Sequence, residues 1–275
     1  MVLLRGAVLA GLMALAAFAP ADSQTKPRIV SLIPSLTEDL FAIGAGSQVV
    51  GVSVWTDFPP QATHLPVIGS ASSVDTEQVL RLHPDAVVGI PAQAPLVADL
   101  RRAGLRPALL ADDSYDDIFR DLSELGRLSG HASEAAALET RLRARTAQLE
   151  RSVRGTSRPR VFVVLGIAPI YTVSDSSYIA QLIALAGGRN AAGNLKDAYP
   201  RFSAEALVAL QPDAIVADSQ SGLAGVLDRA PWNALRAVRD GHVYVLDDAA
   251  LLERPGPRYN EGLAWLIARL HPHGT

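Results

Sequence analysis

The chain has 275 residues, long for one domain and comfortable for two of about 100–150 residues each. Apolar residues make up 49% and charged residues 19%, which supplies packed cores and excludes a disordered chain. A formal charge of -3 with no basic stripe argues against nucleic acid, and the zero Cys count excludes disulfides, thiolate metal sites and a lipid-modified Cys.

The first predicted element is a targeting segment. Arg5 precedes an apolar run over residues 6–18, and Ala19-Pro20-Ala21 follows before Asp22. A positive start, a short apolar stretch and a small-x-small site read as a cleaved secretory signal over residues 1–21. The run is shorter than the roughly 20 residues a membrane span needs. A chain exported without a lipid anchor is expected in a periplasm.

A lobe of alternating strands and helices is expected over residues 22–130. Residues 28–32 read as a buried strand, and residues 35–43 as a helix closed by Gly44 and Gly46. Trp55-Thr56-Asp57-Phe58 leaves the next strand, stopped by Pro59-Pro60, with further loops over 69–74 and 90–95. Residues 76–88 (TEQVLRLHPDAVV) then combine a short helix and a strand. Thr76 is placed to cap that helix, with Glu77 in its first turn where the helix dipole favours an anion. Asp112-Asp113 and Asp116-Asp117 around Tyr115 read as a polar loop and a helix start.

Residues 133–153 hold no Gly or Pro and are rich in strong helix formers. Ser133 is placed as N-cap and Gly155 follows the end, so a rigid helix within residues 131–157 joins the lobes. It would be about 30 Å long, and it predicts a small hinge motion.

The second lobe, residues 158–275, repeats the first. Residues 160–164 form a strand, residues 177–186 a helix closed by Gly187-Gly188, and residues 204–216 (AEALVALQPDAIV) the second helix-strand unit. At constant spacing Glu77 matches Glu205, Leu82 matches Leu210, and Pro84-Asp85-Ala86 matches Pro212-Asp213-Ala214. Ser203 takes the capping place of Thr76. The fold class is therefore α/β, two Rossmann-like α/β lobes joined by one long helix.

The order and spacing of RIVSLIPSLTEDLFAIGAGSQVVGVSVWTDFPPQA, VDTEQVLRLHPDAVV, GIAPIYTVSDSSYIAQLIALAGGRNAA, YPRFSAEALVALQPDAIV and LLERPGPR resemble the helical-backbone substrate-binding proteins of ABC importers. The branch most similar takes cobalamin, haem and iron-siderophores. The resemblance implies a receptor that captures cobalamin or a related corrinoid between its lobes and delivers it to a permease dimer with its ATPase. Haem or a ferric siderophore is the alternative within the fold. No covalent cofactor, no metal site and no catalysis are implied, and a monomer is expected. Glu77 and Glu205 match the family's glutamates that meet permease arginines. Trp55, Asp57 and Phe58 on the first lobe and Tyr171, Tyr199 and Arg254 on the second are the matching ligand contacts. Arg254 would pair with an anionic group or an amide periphery. The cobalamin binders carry tryptophans where this chain reads Ser70-Ala71-Ser72-Ser73 and Gly89-Ile90-Pro91, and an Asp where Ala250 stands.

From another class, an exported α/β enzyme acting on a small substrate remains open, as does a receptor presenting its ligand to a sensor. No GxGxxG, Walker, HExxH or GxSxG pattern occurs. Of the six histidines, His83 lies opposite Gln211 in the repeat, and His271 and His273 read as a frayed terminus.

Overall fold

The computed structural model describes residues 26–272, so the expected signal over residues 1–21 and His273 lie outside the described residues. Strand β1 (Ile29–Ser31) is wholly buried and leads into α1 (Pro34–Ala42), whose proline sits in the first turn where its missing N–H costs nothing. Residues Ser35 through Leu40 are all buried, so α1 is enclosed on every side rather than amphipathic. Gly44, at φ +87, ends it by a left-handed turn in which Ala45 N–H donates to Leu40 O at 2.8 Å.

β2 (Val49–Gly51), α2 (Thr76–Arg81), β3 (Ala86–Gly89), α3 (Ala98–Arg102) and β4 (Ala108–Leu109) complete the first sheet. Two helices follow, α4 (Tyr115–Ser129) and α5 (Ala132–Ser152). The second sheet comprises β5 (Arg160–Val164), β6 (Arg189–Asn190), β7 (Ala214–Asp218) and β8 (Val243–Leu246). Around it run α6 (Tyr178–Leu185), α7 (Ala204–Leu210), α8 (Arg236–Arg239), α9 (Ala250–Glu253) and α10 (Tyr259–Leu270). The sheet orders are β2-β1-β3-β4 and β6-β5-β7-β8, every pair parallel. The two lobes therefore share one topology.

The repeat is repeated in its bonds. Asp75 accepts from Gln78 N–H at 2.9 Å and Ser203 from Ala206 N–H at 3.1 Å, each capping its helix. Thr76, expected as the cap, is instead the first helical residue, because Asp75 is the true counterpart of Ser203. His83 and Gln211 end the two helices with φ of 45° and 44°, a conformation seldom held by residues other than glycine. An arginine supports each turn: Arg28 donates to Leu82 O and Arg160 to Leu210 O, at 2.9 and 3.0 Å. Asp85 and Asp213 then accept the backbone N–H of Arg28 and Arg160, at 2.7 and 2.8 Å. Each lobe thus fixes helix to strand with the same arginine-aspartate lock.

The connecting helix has the expected 21 residues but starts at Ala132. Ser133 lies inside the first turn, its hydroxyl donating to Glu134 at 2.7 Å, because α4 turns sharply at Gly130 (φ +77) and leaves only His131 as the cap. α5 is also no solitary strut. One apolar core runs through both lobes, containing Leu36 and Leu40 of α1, Leu122 of α4, Leu142 of α5, Ile183 of α6 and Leu263 of α10. A polar knot pins it: Tyr259 lies 2.6 Å from the Thr146 hydroxyl and 3.2 Å from that of Tyr115, and Asn260 donates to Leu142 O at 3.0 Å. The residue that follows α10 is packed as well. His271, expected to fray, is buried, with Nε2 2.9 Å from Ala186 O.

α9 sits on α10 because Gly262 has no side chain; a Cβ there would collide with the Leu251 carbonyl. Gly262→Ala is expected to overpack this contact and cost about 1–3 kcal/mol. Thermal denaturation checks it, and an unchanged midpoint would show that α9 is held by something else.

Candidate functional site

Parallel sheets present their ligands at the carboxyl ends of their strands, where backbone loops converge. Both sheets here point those ends at one cleft, a cavity of about 790 Å³. From the first lobe it is lined by Ile33 and Pro34 after β1, Trp55 and Asp57 after β2, and Asp112 and Asp113 after β4. The facing wall carries Leu165 after β5, Tyr199 before α7, Asp218 and Gln220 at the end of β7, and Glu253 and Arg254 at the end of α9. The Trp55 ring is 66% exposed and Tyr199 46% exposed, so both present open aromatic faces to the cleft.

Beneath this wall the lobes are clamped by charge. Glu38 of α1 is only 3% exposed and accepts from Arg258 Nε at 2.8 Å, Arg258 Nη2 at 3.1 Å and Arg254 Nη1 at 3.1 Å. Arg254 also donates to Asp57 at 3.0 Å and to Trp55 O at 3.2 Å. Arg258 reaches Asp248 at 2.8 Å and lies over the Phe58 ring, 4.1 Å from its centroid. The Arg254 guanidinium beside Asp57 holds that carboxyl below the usual range. Arg254 and Arg258 are lifted further above their already high values by their carboxylate partners.

Asp112, Asp121 and Glu253 are shifted the other way. Burial, then the neighbouring Asp113, pushes Asp112 up to about 6. Burial, then Asp112, pushes Asp121 up to about 7. Glu253, open to the solvent of the cleft yet walled by protein, rises to about 7 through desolvation and its close approach to Asp218. Asp218 is held in place by its own turn, accepting Ser221 N–H at 2.8 Å. The Tyr199 phenol goes up to about 12, from desolvation and then the negative fields of Asp112, Asp113 and Glu253. Deeper in, Asp39 is fully buried with no hydrogen-bond partner for either carboxyl oxygen, and burial, then Asp121 and Glu38, raises its pKa well above the ordinary value.

Of the expected contacts, Trp55, Asp57, Tyr199 and Arg254 line the cleft. Phe58 does not: it turns onto Arg258 and lines a separate cavity against Phe41 and Leu138. Tyr171 is half-buried at the end of a short antiparallel ladder, its hydroxyl accepting from Arg201 at 3.1 Å, outside the cleft lining. Arg254 lines the cleft, yet its charge is already committed to Glu38 and Asp57. Ala71 represents the 69–74 loop, whereas no residue of the 90–95 loop takes part. Asp112, Asp113, Asp218 and Glu253 were not expected there. Their signal was positional: Asp218 ends a strand and Asp112 closely follows one.

This two-lobed cleft has clear counterparts. The sequence profile of the family described as periplasmic binding protein matches residues 29–250. The chain belongs to that family. A vitamin B12-binding protein of Vibrio cholerae is 30% identical over 234 residues, covering 84% of each chain. An ABC transporter substrate-binding lipoprotein of Bacillus subtilis is 28% identical over 254 residues, covering 89% of this chain and 80% of the relative. Among solved structures, the periplasmic vitamin B12-binding protein of Vibrio cholerae superimposes with a TM-score of 0.81 at 28% identity, covering 90% of this chain and 97% of the other. A periplasmic haem-binding protein of Roseiflexus sp. RS-1 in its apo form does so at 0.80 and 30% identity, covering 91% and 100%.

This periplasmic binding protein has two acids of raised pKa in the cleft, Asp112 and Glu253, and a third, Asp121, buried on α4. Asp112, Asp121 and Glu253 keep their protons in the folded state to about pH 6–7. The unfolded chain releases its carboxyl protons near about pH 4. Between those limits the native state binds more protons, so these groups make stability fall as pH rises. Asp121→Asn removes one of them. It is expected to raise the urea midpoint more at about pH 8 than at about pH 5, and an equal gain at both would contradict the assignment.

Proposed function

We propose that this periplasmic binding protein captures cobalamin or a related corrinoid in the interlobe cleft and delivers it to the permease dimer of an ABC importer. The observation that carries the reading is the cleft itself: both sheets direct their strand ends into one cavity of about 790 Å³ edged by Trp55 and Tyr199. A flat macrocycle with a polar periphery suits aromatic faces set among hydrogen-bonding groups. The names of the relatives, which describe binding and transport, support capture over turnover. Export through a cleaved signal, to a periplasm and without a lipid anchor, belongs to the same proposal, as does a monomeric state.

Glu77 and Glu205 are the proposed docking pair. Each stands in the first turn of the short helix that leads into a strand of its lobe's parallel sheet, Ala86–Gly89 or Ala214–Asp218. Glu77 is 81% exposed at its side chain and holds only Arg81, at 2.9 Å, a surface pair worth about 0–1 kcal/mol. Glu205 is exposed. Paired anions on duplicated lobes suit a permease dimer that presents paired cations.

Haem is the second reading, favoured by the likeness to the Roseiflexus structure. Mass spectrometry of the compound retained by protein purified from its native host decides between them. A corrinoid is expected; haem would transfer the reading to the second ligand, and a compound found as substrate and product would replace capture by catalysis.

Substitutions separate the two surfaces. Glu77→Ala with Glu205→Ala is expected to weaken co-purification with the permease by about tenfold or more, with ligand affinity within about twofold of the native value. Trp55→Ala or Tyr199→Ala is expected to do the reverse, costing about tenfold in ligand affinity. Equal loss of ligand binding in the double glutamate variant would place those residues in the pocket or the fold.

A further inference from the structure

The cleft walls are unequally charged. Their lining offers the carboxylates of Asp57, Asp112, Asp113, Asp218 and Glu253 against a single cation, Arg254. That cation is spent within the protein, because it donates to Glu38 and Asp57 on the opposite lobe. Asp57 is spent with it. Asp112 and Asp113 on one wall and Asp218 and Glu253 on the other are left with no Lys, His or further Arg among the lining residues. Asp113 and Glu253 are exposed to the solvent of the cleft, whereas Asp112 and Asp218 are half-buried. All four border the cavity at the carboxyl ends of the two sheets, and the Tyr199 phenol sits within the field of acids from both walls.

An anion entering this space meets four carboxylates and no free donor cation. To gain one it would have to pull Arg254 away from Asp57 and break one of the three bonds to the buried Glu38. A cation meets none of these costs, and its arrival favours the ionised forms of Asp112 and Glu253. Low-dielectric walls focus such a field more strongly than an open surface does.

We infer that the cleft selects a positively charged ligand and rejects one that presents carboxylates. The inference rests on capture in the cleft, as proposed above, and adds the charge of what is captured. Within the corrinoids it singles out cationic forms, those with an aquo ligand in place of an anionic one, over neutral ones. It disfavours haem, whose propionates would face Asp112, Asp113, Asp218 and Glu253.

Titration calorimetry at about pH 8 and low salt, where the acids are ionised and weakly screened, reads this directly. The probes are aquocyanocobinamide, a cation; dicyanocobinamide, the same ring made neutral by a second cyanide; and haemin, which carries propionates. The cation is expected to bind about tenfold or more tightly than its neutral twin, with haemin weakest. Asp112→Asn combined with Glu253→Gln is expected to bring the ratio of the two corrinoid affinities close to one. Should that variant fail to fold, Asp113→Asn at an exposed position reads the same ratio, with a smaller fall expected. Equal affinity for the two corrinoids in the native chain, a ratio unmoved by the substitutions, or haemin as the tightest ligand overturns the inference alone. Binding of none of the three overturns the corrinoid reading and this inference together.

Discussion

Glu38 lies on a helix of the first lobe with almost no solvent contact, and both of its carboxylate oxygens are held by arginines of the second lobe. A buried carboxylate left without its partners costs about 3–5 kcal/mol, so separating the lobes at this point is expensive. The same pair would contribute little more to stability than well-packed apolar groups. What it supplies is position. Arg254 and Arg258 can satisfy Glu38, Asp57 and Asp248 together only at one setting of α9 and α10 against α1. That setting fixes the width of the cleft and the place of Glu253, next in the chain to Arg254. The continuous core beneath, and the Tyr115–Tyr259–Thr146 knot, hold the same geometry from behind.

The duplication was plain in the sequence because it is written locally. A cap, an acid in the first turn, spaced leucines and Pro-Asp before β-branched residues each act within a few positions, so two copies could be aligned without coordinates. Even so the cap was placed one residue late, since Thr76 and Asp75 both have capping side chains and only the structure shows which carboxylate meets Gln78 N–H. The clamp was not legible. Glu38 and Arg254 are 216 positions apart, and nothing local distinguishes Glu38 from an ordinary helix glutamate. For that reason Arg254 read as a free cation for a ligand, and Phe58 as a platform, when Arg258 claims its face. His271 read as frayed because terminal position was the only local cue, while its partner, the Ala186 carbonyl, lies 85 positions away.

The two lobes are alike in topology but not in what they bring to the cleft. The first contributes an exposed indole and a pair of adjacent acids; the second contributes a phenol, two acids in contact and the one arginine. Shared architecture supplies equivalent helices, one on each lobe. The unequal walls supply a pocket with a direction, which is what an asymmetric ligand needs. Folding stability is sacrificed for this. Asp112 and Glu253, which keep their protons to about pH 6–7, each stand beside another acid at the site, with Arg254 the one cation in the lining.

Amide hydrogen exchange on the native chain and on Glu38→Gln tests most directly whether one buried carboxylate sets the relation of the lobes. The account predicts that protection falls on both sides of the cleft together, around residues 33–40 and 54–58 and around residues 248–262. Loss confined to the first-lobe segments would mean that Glu38 serves only its own lobe, and that the clamp does not hold the two halves in register.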